Sequence, residues 1–273
     1  MKHLNQLDSE INGQELFFIP TMGSLHKGHL SLIENAKTFG LKTIVSIFVN
    51  PKQFNDSSDY EKYPRDLERD FQSLNQLGVD ILFTPNEDYI YGDNLVNVVD
   101  SGNIGKKYEG NSRPGHFDGV LTVVNRLFEL VKPKKAIFGK KDAQQLFLIK
   151  EYVKNEKLDI EIHEGDIIRD SNGLALSSRN QLLSNNGLVT ARGLKRHLDT
   201  LKEIYTQTES INESVNKTLN TCQDSKLDID YLHILDKDTF DEATEETRNA
   251  IIIIAGKVEG IRLIDNIDFK VEL

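Results

Sequence analysis

The chain has 273 residues, of which 38% are hydrophobic and 28% are charged, and its formal net charge at pH 7 is −10. This composition excludes a disordered or collagen-like chain, and the length allows one large domain or two unequal domains. The acidic balance argues against non-specific binding of nucleic acid, which requires cationic side chains that neutralise phosphates. It does not exclude a small anionic ligand, because a few cations and backbone N–H groups can hold one.

No membrane segment or secretion signal is expected. The most apolar runs, residues 43–49 and 250–255, are far shorter than the roughly 20 residues that a membrane-spanning helix needs. The first residues, MKHLNQ, lack the apolar core and cleavage site of a signal peptide. The single cysteine, Cys222, excludes an internal disulfide and a cysteine-based zinc cluster, which fits a reducing compartment. We therefore expect a cytoplasmic protein.

The first two-thirds of the chain alternates short apolar runs with helical patterns. The runs predicted as strands are residues 16–19, 43–49, 81–83 and 136–138. Apolar residues at helical spacing predict the intervening helices at residues 28–39, 66–77, 120–131 and 143–153. Strands that are nearly continuous in apolar residues and alternate with helices are typical of a parallel sheet covered on both faces. The sequence therefore predicts an α/β fold with a doubly wound, Rossmann-like parallel sheet.

The pattern changes after about residue 168. Two long polar helical segments, residues 184–205 and 210–222, come next. They precede strand-like runs at residues 229–235, 250–255 and 260–264. Helices followed by consecutive strands indicate a separate α+β unit. We expect a Rossmann-like domain over residues 1–167 and a smaller α+β domain over residues 168–273.

The loop after the first strand carries two histidines and is called the histidine loop below. Residues 20–29, PTMGSLHKGH, follow the strand directly and lead into a helix. Ligands of a doubly wound sheet bind beyond the carboxyl ends of its strands, where the first turn of a helix offers unpaired N–H groups. His26 and His29 can donate to phosphate oxygens there, and Gly28 permits close approach. Taken alone, the pair is also compatible with a capping or surface role, and no third ligand at metal spacing supports a zinc site.

Two further clusters follow predicted strands. Asn50 and Gln53 come after the strand at 43–49, and the amide of Gln53 suits a ligand that bears both a hydroxyl and a carboxylate. Lys140 and Lys141 come after the strand at 136–138. Each cluster alone is compatible with an ordinary loop, but together they place polar and cationic groups at one edge of the sheet.

A fourth cluster lies at the predicted domain junction. Ser177 and Ser178 precede Arg179, and two hydroxyls beside a guanidinium can form a small phosphate clamp. Such turns are also common on protein surfaces. The combination of all four clusters favours a site for an anionic ligand.

Six segments together resemble a known family. They are PTMGSLHKGH (20–29), VNPKQF (49–54), YPRD (63–66), RPGHFDGVLTVV (113–124), FGKKDAQQL (138–146) and GLALSSRN (173–180). In this order and spacing they resemble the pantothenate synthetases, the pantoate:β-alanine ligases of the HxGH nucleotidyl-transferring superfamily. The HxGH pattern alone occurs across that superfamily, whereas the whole set is specific to the family.

The resemblance implies an ATP-dependent condensation of D-pantoate with β-alanine. The pantoate carboxylate would attack the α-phosphate of Mg-ATP and release pyrophosphate, and the amine of β-alanine would then attack the pantoyl adenylate to give pantothenate and AMP. Rate would come from positioning and charge stabilisation rather than from a protein nucleophile. The resemblance also implies Mg²⁺ carried mainly by ATP and a homodimer. The acidic balance and the short apolar runs predict no nucleic-acid or membrane partner.

Site residues follow from the resemblance by position. The implied ATP-binding residues are Met22, Gly23, Ser24, Leu25, His26, Lys27, Gly28, His29, Gly139, Lys140, Lys141, Asp142, Ile168, Leu176, Ser177, Ser178 and Arg179. His26, His29 and Lys141 are implied to be catalytic, with His29 as the proton donor. Gln53 and Gln145 are implied to hold pantoate, and Gln53 also to contact β-alanine.

The resemblance also extends to residues outside the two binding sets. Asp70 matches a position near magnesium, and Asn50 and Tyr63 match positions near substrate or magnesium. A loop at residues 110–119, which contains Arg113 and His116, could cover the site. The first domain would bind nucleotide and pantoate, and the second would act as a lid.

Two other functions fit parts of the pattern. An HxGH adenylyltransferase would use the same histidine loop to transfer AMP to a phosphate ester, and it would need cations for the acceptor phosphate and give the two glutamines no role. A non-catalytic regulator would bind ATP without forming AMP.

Overall fold

The computed structural model describes residues 1–7, 11, 13–55, 57–92, 96–208, 210–221 and 226–271. Cys222, and with it the end of the predicted helix at 210–222, lies outside the described residues. The chain forms two compact units, one of Met1–Lys140 and Gln144–Ile167 and the other of Lys141–Ala143 and Ile168–Leu273.

The first unit is an α/β sheet. Its strands are β1 (Lys2–Leu4), β2 (Leu16–Thr21), β3 (Lys42–Ile47), β4 (Ile81–Phe83), β5 (Lys135–Gly139) and β6 (Glu161–Gly165). The helices between them are α1 (Lys27–Lys37), α2 (Ser57–Lys62), α3 (Leu67–Gln76), α4 (Glu87–Tyr91), α5 (Glu109–Ser112), α6 (His116–Val131) and α7 (Ala143–Asn155). Among the described residues, the strands pair in parallel in the order β1-β4-β3-β2-β5-β6. The predicted fold class is confirmed.

The order of the strands locates a ligand crevice. β2 lies between β3 and β5, with Phe18 in register with Ile44 on one side and with Ala136 on the other. The chain proceeds outward from β2 through β3 and β4, and then returns to place β5 on the opposite side. Ligands of doubly wound sheets bind beyond the carboxyl ends of the two strands at such a reversal. Here those ends are Thr21 and Gly139.

Both faces of this sheet are buried, which explains why its strands are nearly continuous in apolar residues. Phe18 and Ile44 belong to the core on one face with residues of α6 and α7. Phe17 and Val45 belong to the core on the other face with residues of α1 and α3, including Ile33. Successive side chains of a strand point to opposite faces. The strand β2 therefore anchors the histidine loop in two cores at once.

Two edge strands were not predicted from the sequence. β1 has three residues and begins with Lys2 and His3, while β6 reads EIHEG. Both lie at the edges of the sheet, where the partial exposure of a strand permits polar side chains. Neither strand has the apolar run by which the central strands were predicted.

The second unit packs helices on an antiparallel sheet. Its helices are α8 (Asn185–Ala191), α9 (Gly193–Thr208) and α10 (Ile211–Thr221), and its strands are β7 (Asp228–Asp236), β8 (Asn249–Val258) and β9 (Ile261–Lys270) in that order across the sheet. Leu194, Leu198 and Leu201 of α9 share a core with Ile252 and Ile254 of β8. The single helix predicted over 184–205 is divided into α8 and α9. The division falls beside Gly193, at which α9 begins. Glycine has a low helix propensity.

Among the helices in the described residues, none combines the length and the apolarity needed to cross a membrane.

Candidate active site

The chain turns sharply after β2. Gly23 and Ser24 adopt left-handed backbone conformations in succession, with φ of +78° and +50°. A Cβ at Gly23 would lie 2.9 Å from Ile47 Cγ2 and 3.0 Å from Asp70 Oδ2, so the position requires glycine. Ser24 has a Cβ, and a left-handed conformation costs such a residue about 1 kcal/mol. The loop therefore depends on contacts that hold it in this conformation.

Backbone N–H groups of the loop are bonded within the unit. Gly23 N–H donates to Thr21 Oγ1 at 3.2 Å, and the hydroxyl of Thr21 donates to the carbonyl of Ser46 on β3 at 2.8 Å. Ser24 N–H donates to Asp70 Oδ2 at 2.8 Å, and Leu25 N–H donates to Asp70 Oδ1 at 2.7 Å. The loop is thus tied to β3 and to α3.

Asp70 occupies a buried position in the first half of α3. Its exposed fraction is 2%. Burial raises the pKa of the Asp70 carboxyl above its ordinary value of 3.8, although the N–H groups of Leu25 and Ser24 act in the opposite direction. Of the neighbouring charges, Asp66 also raises the pKa and Arg69 lowers it. Both oxygens of the predicted magnesium ligand therefore serve the histidine loop.

The two histidines cap α1 reciprocally. His26 is the N-cap, and its Nδ1 accepts from Gly28 N–H at 3.1 Å. His26 N–H in turn donates to His29 Nδ1 at 3.4 Å, and the two rings lie 4.0 Å apart. A backbone N–H is always a donor, so each Nδ1 must be an acceptor without a proton. Each neutral ring consequently carries its proton on Nε2.

This arrangement changes one expectation from the sequence. The first turn of α1 was expected to offer unpaired N–H groups, but imidazole nitrogens accept from His26 N–H and Gly28 N–H. Gly28 is required by a ring of the protein itself, because a Cβ there would lie 2.8 Å from His26 Cε1. The capping role and the phosphate-binding role are compatible, since capping uses Nδ1 and leaves Nε2–H as the donor of each ring. No acidic residue lies in the first turn of α1, which begins at Lys27.

Gln53 contacts the histidine loop. It ends a 3-10 turn, Pro51–Gln53, that follows β3 and is capped by Asn50. Asn50 Nδ2 donates to Gln53 Oε1 at 3.1 Å and to the carbonyl of Gly119 at 3.1 Å, and Gln53 Nε2 lies 3.0 Å from Met22 Sδ. The structure therefore brings together the clusters predicted after β2 and β3.

Asn50 is itself held by a half-buried tyrosine. Tyr91 donates its hydroxyl to Asn50 Oδ1 at 2.7 Å, and the ammonium of Lys52 lies 3.8 Å from the Tyr91 ring centre. Burial raises the pKa of Tyr91, so its hydroxyl stays a donor. Tyr63, by contrast, is buried in this region, with its ring 5.7 Å from that of Phe54.

The start of α6 fixes the backbone of Gln53. His116 Nδ1 lies 2.7 Å from the carbonyl of Gln53, and Arg113 Nη2 donates to the same oxygen at 3.2 Å. Arg113 Nη1 lies 3.2 Å from His116 Nε2. A carbonyl only accepts and a guanidinium only donates, so His116 is neutral with its proton on Nδ1. Arg113 and His116, predicted as parts of a covering loop, are supports of Gln53 in this structure.

The turn after β5 carries the predicted lysines. Gly139 ends β5. Lys140–Asp142 then forms a 3-10 turn before α7, here called the lysine turn. Lys140 Nζ lies 2.7 Å from Asp166 Oδ1. Near the start of α7, Gln145 is half-buried, whereas its neighbour Gln144 is buried and donates to the carbonyls of two loop residues, Ile104 and Lys107.

Within the second unit, a strand residue holds the lysine turn. Asn266 of β9 donates from Nδ2 to the carbonyl of Lys141 at 2.9 Å and is itself buried. The preceding residue, Asp265, is buried too and accepts from Arg169 at 2.6 Å and 2.9 Å. Neither strand residue was predicted, because no local pattern in the last third of the chain relates them to the turn at residues 140–142.

The predicted phosphate clamp forms a compact turn in the second unit. Leu176 N–H donates to the carbonyl of Ile168 at 2.9 Å. Ser177 caps a 3-10 turn, Ser178–Leu182, and its hydroxyl oxygen accepts from Arg179 N–H at 3.3 Å. Ser178 is buried, while Arg179 is half-buried.

Comparison with known proteins decides the family. The family model for pantoate-beta-alanine ligase matches residues 1–268. The chain belongs to the pantoate–β-alanine ligase family. The resemblance inferred from the six sequence segments is confirmed.

Relatives of known name agree with this assignment. The pantothenate synthetase of Vesicomyosocius okutanii is 43% identical over 268 residues, which are 97% of this chain and 94% of that protein. The pantothenate synthetase of Caldicellulosiruptor saccharolyticus is 42% identical over 95% of this chain and 93% of that protein.

Solved structures of the ligase family share the fold. The crystal structure of pantothenate synthetase from Thermus thermophilus matches with a TM-score of 0.91 and 37% identity. The match covers 98% of this chain and 99% of the Thermus chain. The pantoate-beta-alanine ligase of Francisella tularensis, solved in complex with β-γ ATP and β-alanine, has a TM-score of 0.76 and 38% identity, covering 95% and 91% of the two chains.

Proposed function

We propose that this enzyme joins D-pantoate to β-alanine in an ATP-dependent reaction that passes through pantoyl adenylate and releases pyrophosphate and AMP. The match of the ligase family to residues 1–268 carries this proposal. The histidine loop at the reversal of the sheet, beside Gln53, supports it independently.

The first step transfers an adenylyl group. A carboxylate oxygen of pantoate attacks the α-phosphorus of ATP, the bond from that phosphorus to the bridging oxygen breaks, and pyrophosphate leaves. Negative charge grows on the phosphate oxygens during this step. The Nε2–H groups of His26 and His29 are suited to donate to those oxygens, because backbone capping fixes their tautomers before substrate binds.

Magnesium enters as part of the ATP substrate. Among the described residues, no group of three or more His, Cys, Asp or Glu side chains is arranged to hold a metal ion. Asp70 is 2% exposed, and each of its oxygens already accepts a backbone N–H. Mg²⁺ retains most of its water and binds through few carboxylates plus substrate phosphates, which agrees with a metal carried by ATP.

The second step forms the amide. The uncharged amine of β-alanine attacks the acyl carbon of pantoyl adenylate, the carbon–oxygen bond to the phosphate breaks, and AMP leaves with the proton that the nitrogen gives up. Gln53 is placed to hold pantoate and β-alanine, since its amide can donate and accept and its backbone is fixed by Arg113 and His116. Gln145 is assigned to pantoate by its position in the family pattern.

Residues of both domains are assigned to ATP. Lys141 is proposed to neutralise charge on the transferring phosphate, and the residues at 139–142, 168 and 176–179 to complete the ATP site. The first domain, residues 1–167, is proposed to bind nucleotide and pantoate, and the second, residues 168–273, to act as a lid. A homodimer is proposed from the family resemblance, and light scattering at several concentrations would test it. A cytoplasmic location is proposed from the sequence, whose single cysteine fits a reducing compartment.

One assay tests the reaction and its alternatives. AMP and pantothenate are measured with ATP, D-pantoate and β-alanine, and with each omitted in turn. We expect pyrophosphate release to require pantoate, and AMP and pantothenate to form in equal amounts when all three are present. Pyrophosphate release driven only by a phosphorylated acceptor would instead identify an adenylyltransferase. ATP binding without AMP formation would identify a regulator.

A further inference from the structure

One acidic side chain lies under the histidine loop. Asp70 of α3 accepts from Ser24 N–H at 2.8 Å and from Leu25 N–H at 2.7 Å, one bond to each carboxylate oxygen. It is 2% exposed. Ser24 is held at a φ of +50° by these contacts, a conformation that side chains other than glycine rarely adopt.

Convergent N–H groups of this kind ordinarily bind anions. Successive amides around a left-handed turn form a concave donor site that suits phosphates and carboxylates. Here the carboxylate of Asp70 fills it. A substrate phosphate consequently has to be bound by other groups, and the side chains nearest along the loop are the histidines.

The residues that Asp70 binds lie directly before the two histidines that cap α1. Leu25, whose N–H donates to Asp70, precedes His26, whose own N–H donates to His29 Nδ1. A displacement of the backbone at residues 24–25 would therefore change the orientation of both rings. Misplacement of a catalytic group by about 1 Å can lower a rate about 100-fold.

We propose that Asp70 is a positioning residue for adenylate formation, which holds the backbone of Ser24 and Leu25 and thereby orients His26 and His29, and that it is not a magnesium ligand. This inference rests on the proposed function of the same site. It replaces the metal role that the family resemblance implied for this residue.

The test compares two substitutions on one helix. Asp70→Asn keeps the size of the side chain but replaces one acceptor oxygen by an NH₂ group that faces an N–H donor. Asp66→Asn makes the same change of charge one turn earlier, at an exposed N-cap that accepts from Arg69 N–H at 3.1 Å. Circular dichroism and Tm establish that both variants fold.

We expect Asp70→Asn to lower the kcat of pantoate-dependent pyrophosphate release by about 10- to 100-fold, with a smaller change in the KM for Mg-ATP. Raising the Mg²⁺ concentration should not restore the rate. Asp66→Asn should stay within about twofold of the wild type. Imidazole ¹⁵N signals of His26 and His29, recorded without substrate, should shift in Asp70→Asn but not in Asp66→Asn.

Three outcomes would overturn the inference. They are a rate for Asp70→Asn equal to that of Asp66→Asn, histidine signals that do not shift, and a rate that recovers with excess Mg²⁺. If Asp70→Asn does not fold, Asp70→Glu is the second variant, because it keeps both acceptor oxygens. It should show wild-type histidine signals and a higher rate than any other folded variant at position 70. A wild-type enzyme without pantoate-dependent pyrophosphate release would refute the proposed function, while the histidine signals would still report on positioning.

Discussion

The backbone N–H of His26 donates to Nδ1 of His29, and the two rings lie 4.0 Å apart. This contact assigns the capping of α1 to one nitrogen of the ring and leaves the other to act as a donor. The two functions of the ring can therefore be separated by mutation.

His29→Asn should separate capping from catalysis. The amide oxygen of asparagine can accept the N–H of His26 in place of Nδ1, but the side chain lacks the Nε2–H donor. We expect pyrophosphate release to fall by more than about 100-fold, the scale for loss of one transition-state donor, with a Tm near that of the wild type. His29→Ala should lose the cap as well and have a lower Tm. His233→Ala, on β7 of the second unit, serves as the control, and similar activities for it and His29→Asn would contradict the assignment.

Gln53→Ala should affect the two carboxylate substrates more than ATP. The amide of Gln53 lies against Asn50 and Met22, and its loss removes a group able to donate and accept. We expect the KM values for pantoate and β-alanine to rise about 10-fold or more, with little change in the KM for ATP. Initial rates with each substrate varied in turn measure this. An isolated loss of ATP affinity would be incompatible with the role given to Gln53.

Asn266→Ala should impair the lysine turn from a distant part of the sequence. The buried amide of Asn266 donates to the carbonyl of Lys141, and its removal leaves that carbonyl without this donor. We expect a loss of adenylate formation of about 10-fold, smaller than the loss of about 100-fold expected for Lys141→Ala. Lys134→Ala, at an exposed ion pair with Asp159, is the control. If the double variant Asn266→Ala/Lys141→Ala is no slower than Lys141→Ala alone, the two residues act through the same interaction.

The stability of the fold should respond to pH through Asp70. Because burial raises its pKa above 3.8, the folded protein binds this proton more tightly than the unfolded chain. The stabilisation from protonation is complete below the unfolded-state pKa and is lost as the pH rises through the folded-state pKa. Relative to Asp70→Asn, the wild type should therefore lose unfolding free energy over an interval of pH that begins at about pH 4, as urea titrations would show. A difference that stays constant over this interval would contradict the direction of the shift.

The sequence was sufficient to predict the central strands of the sheet and the edge at which the loops after them lie. Strands such as β2 and β3 are buried on both faces, so their apolar runs are legible without a structure. Parallel pairing then places the residues after each strand at one edge, which is why the contact of Gln53 with Met22 follows an expectation from the sequence. The edge strands β1 and β6 lacked this signal because their exposure permits charged residues.

Other features depend on contacts that local patterns do not encode. Asp70 and Ser24 are 46 positions apart, and Asn266 and Lys141 are 125 positions apart. Nothing in the residues around Asp70 distinguishes a ligand of magnesium from an acceptor of backbone N–H groups, because a carboxylate is suited to both. For His26 and His29 the sequence likewise left a capping role and a ligand role open, and only the structure shows that each Nδ1 accepts a backbone N–H.

The carboxylate under the histidine loop also affects the thermodynamics of binding. A phosphate-binding loop that is ordered only by its ligand loses conformational entropy when the ligand binds, and this loss weakens the observed affinity. In this enzyme an internal anion supplies the acceptors for Ser24 and Leu25, so the loop is ordered when the chain folds. The affinity for ATP is then not reduced by the ordering of this loop, and ATP can dissociate without disordering it.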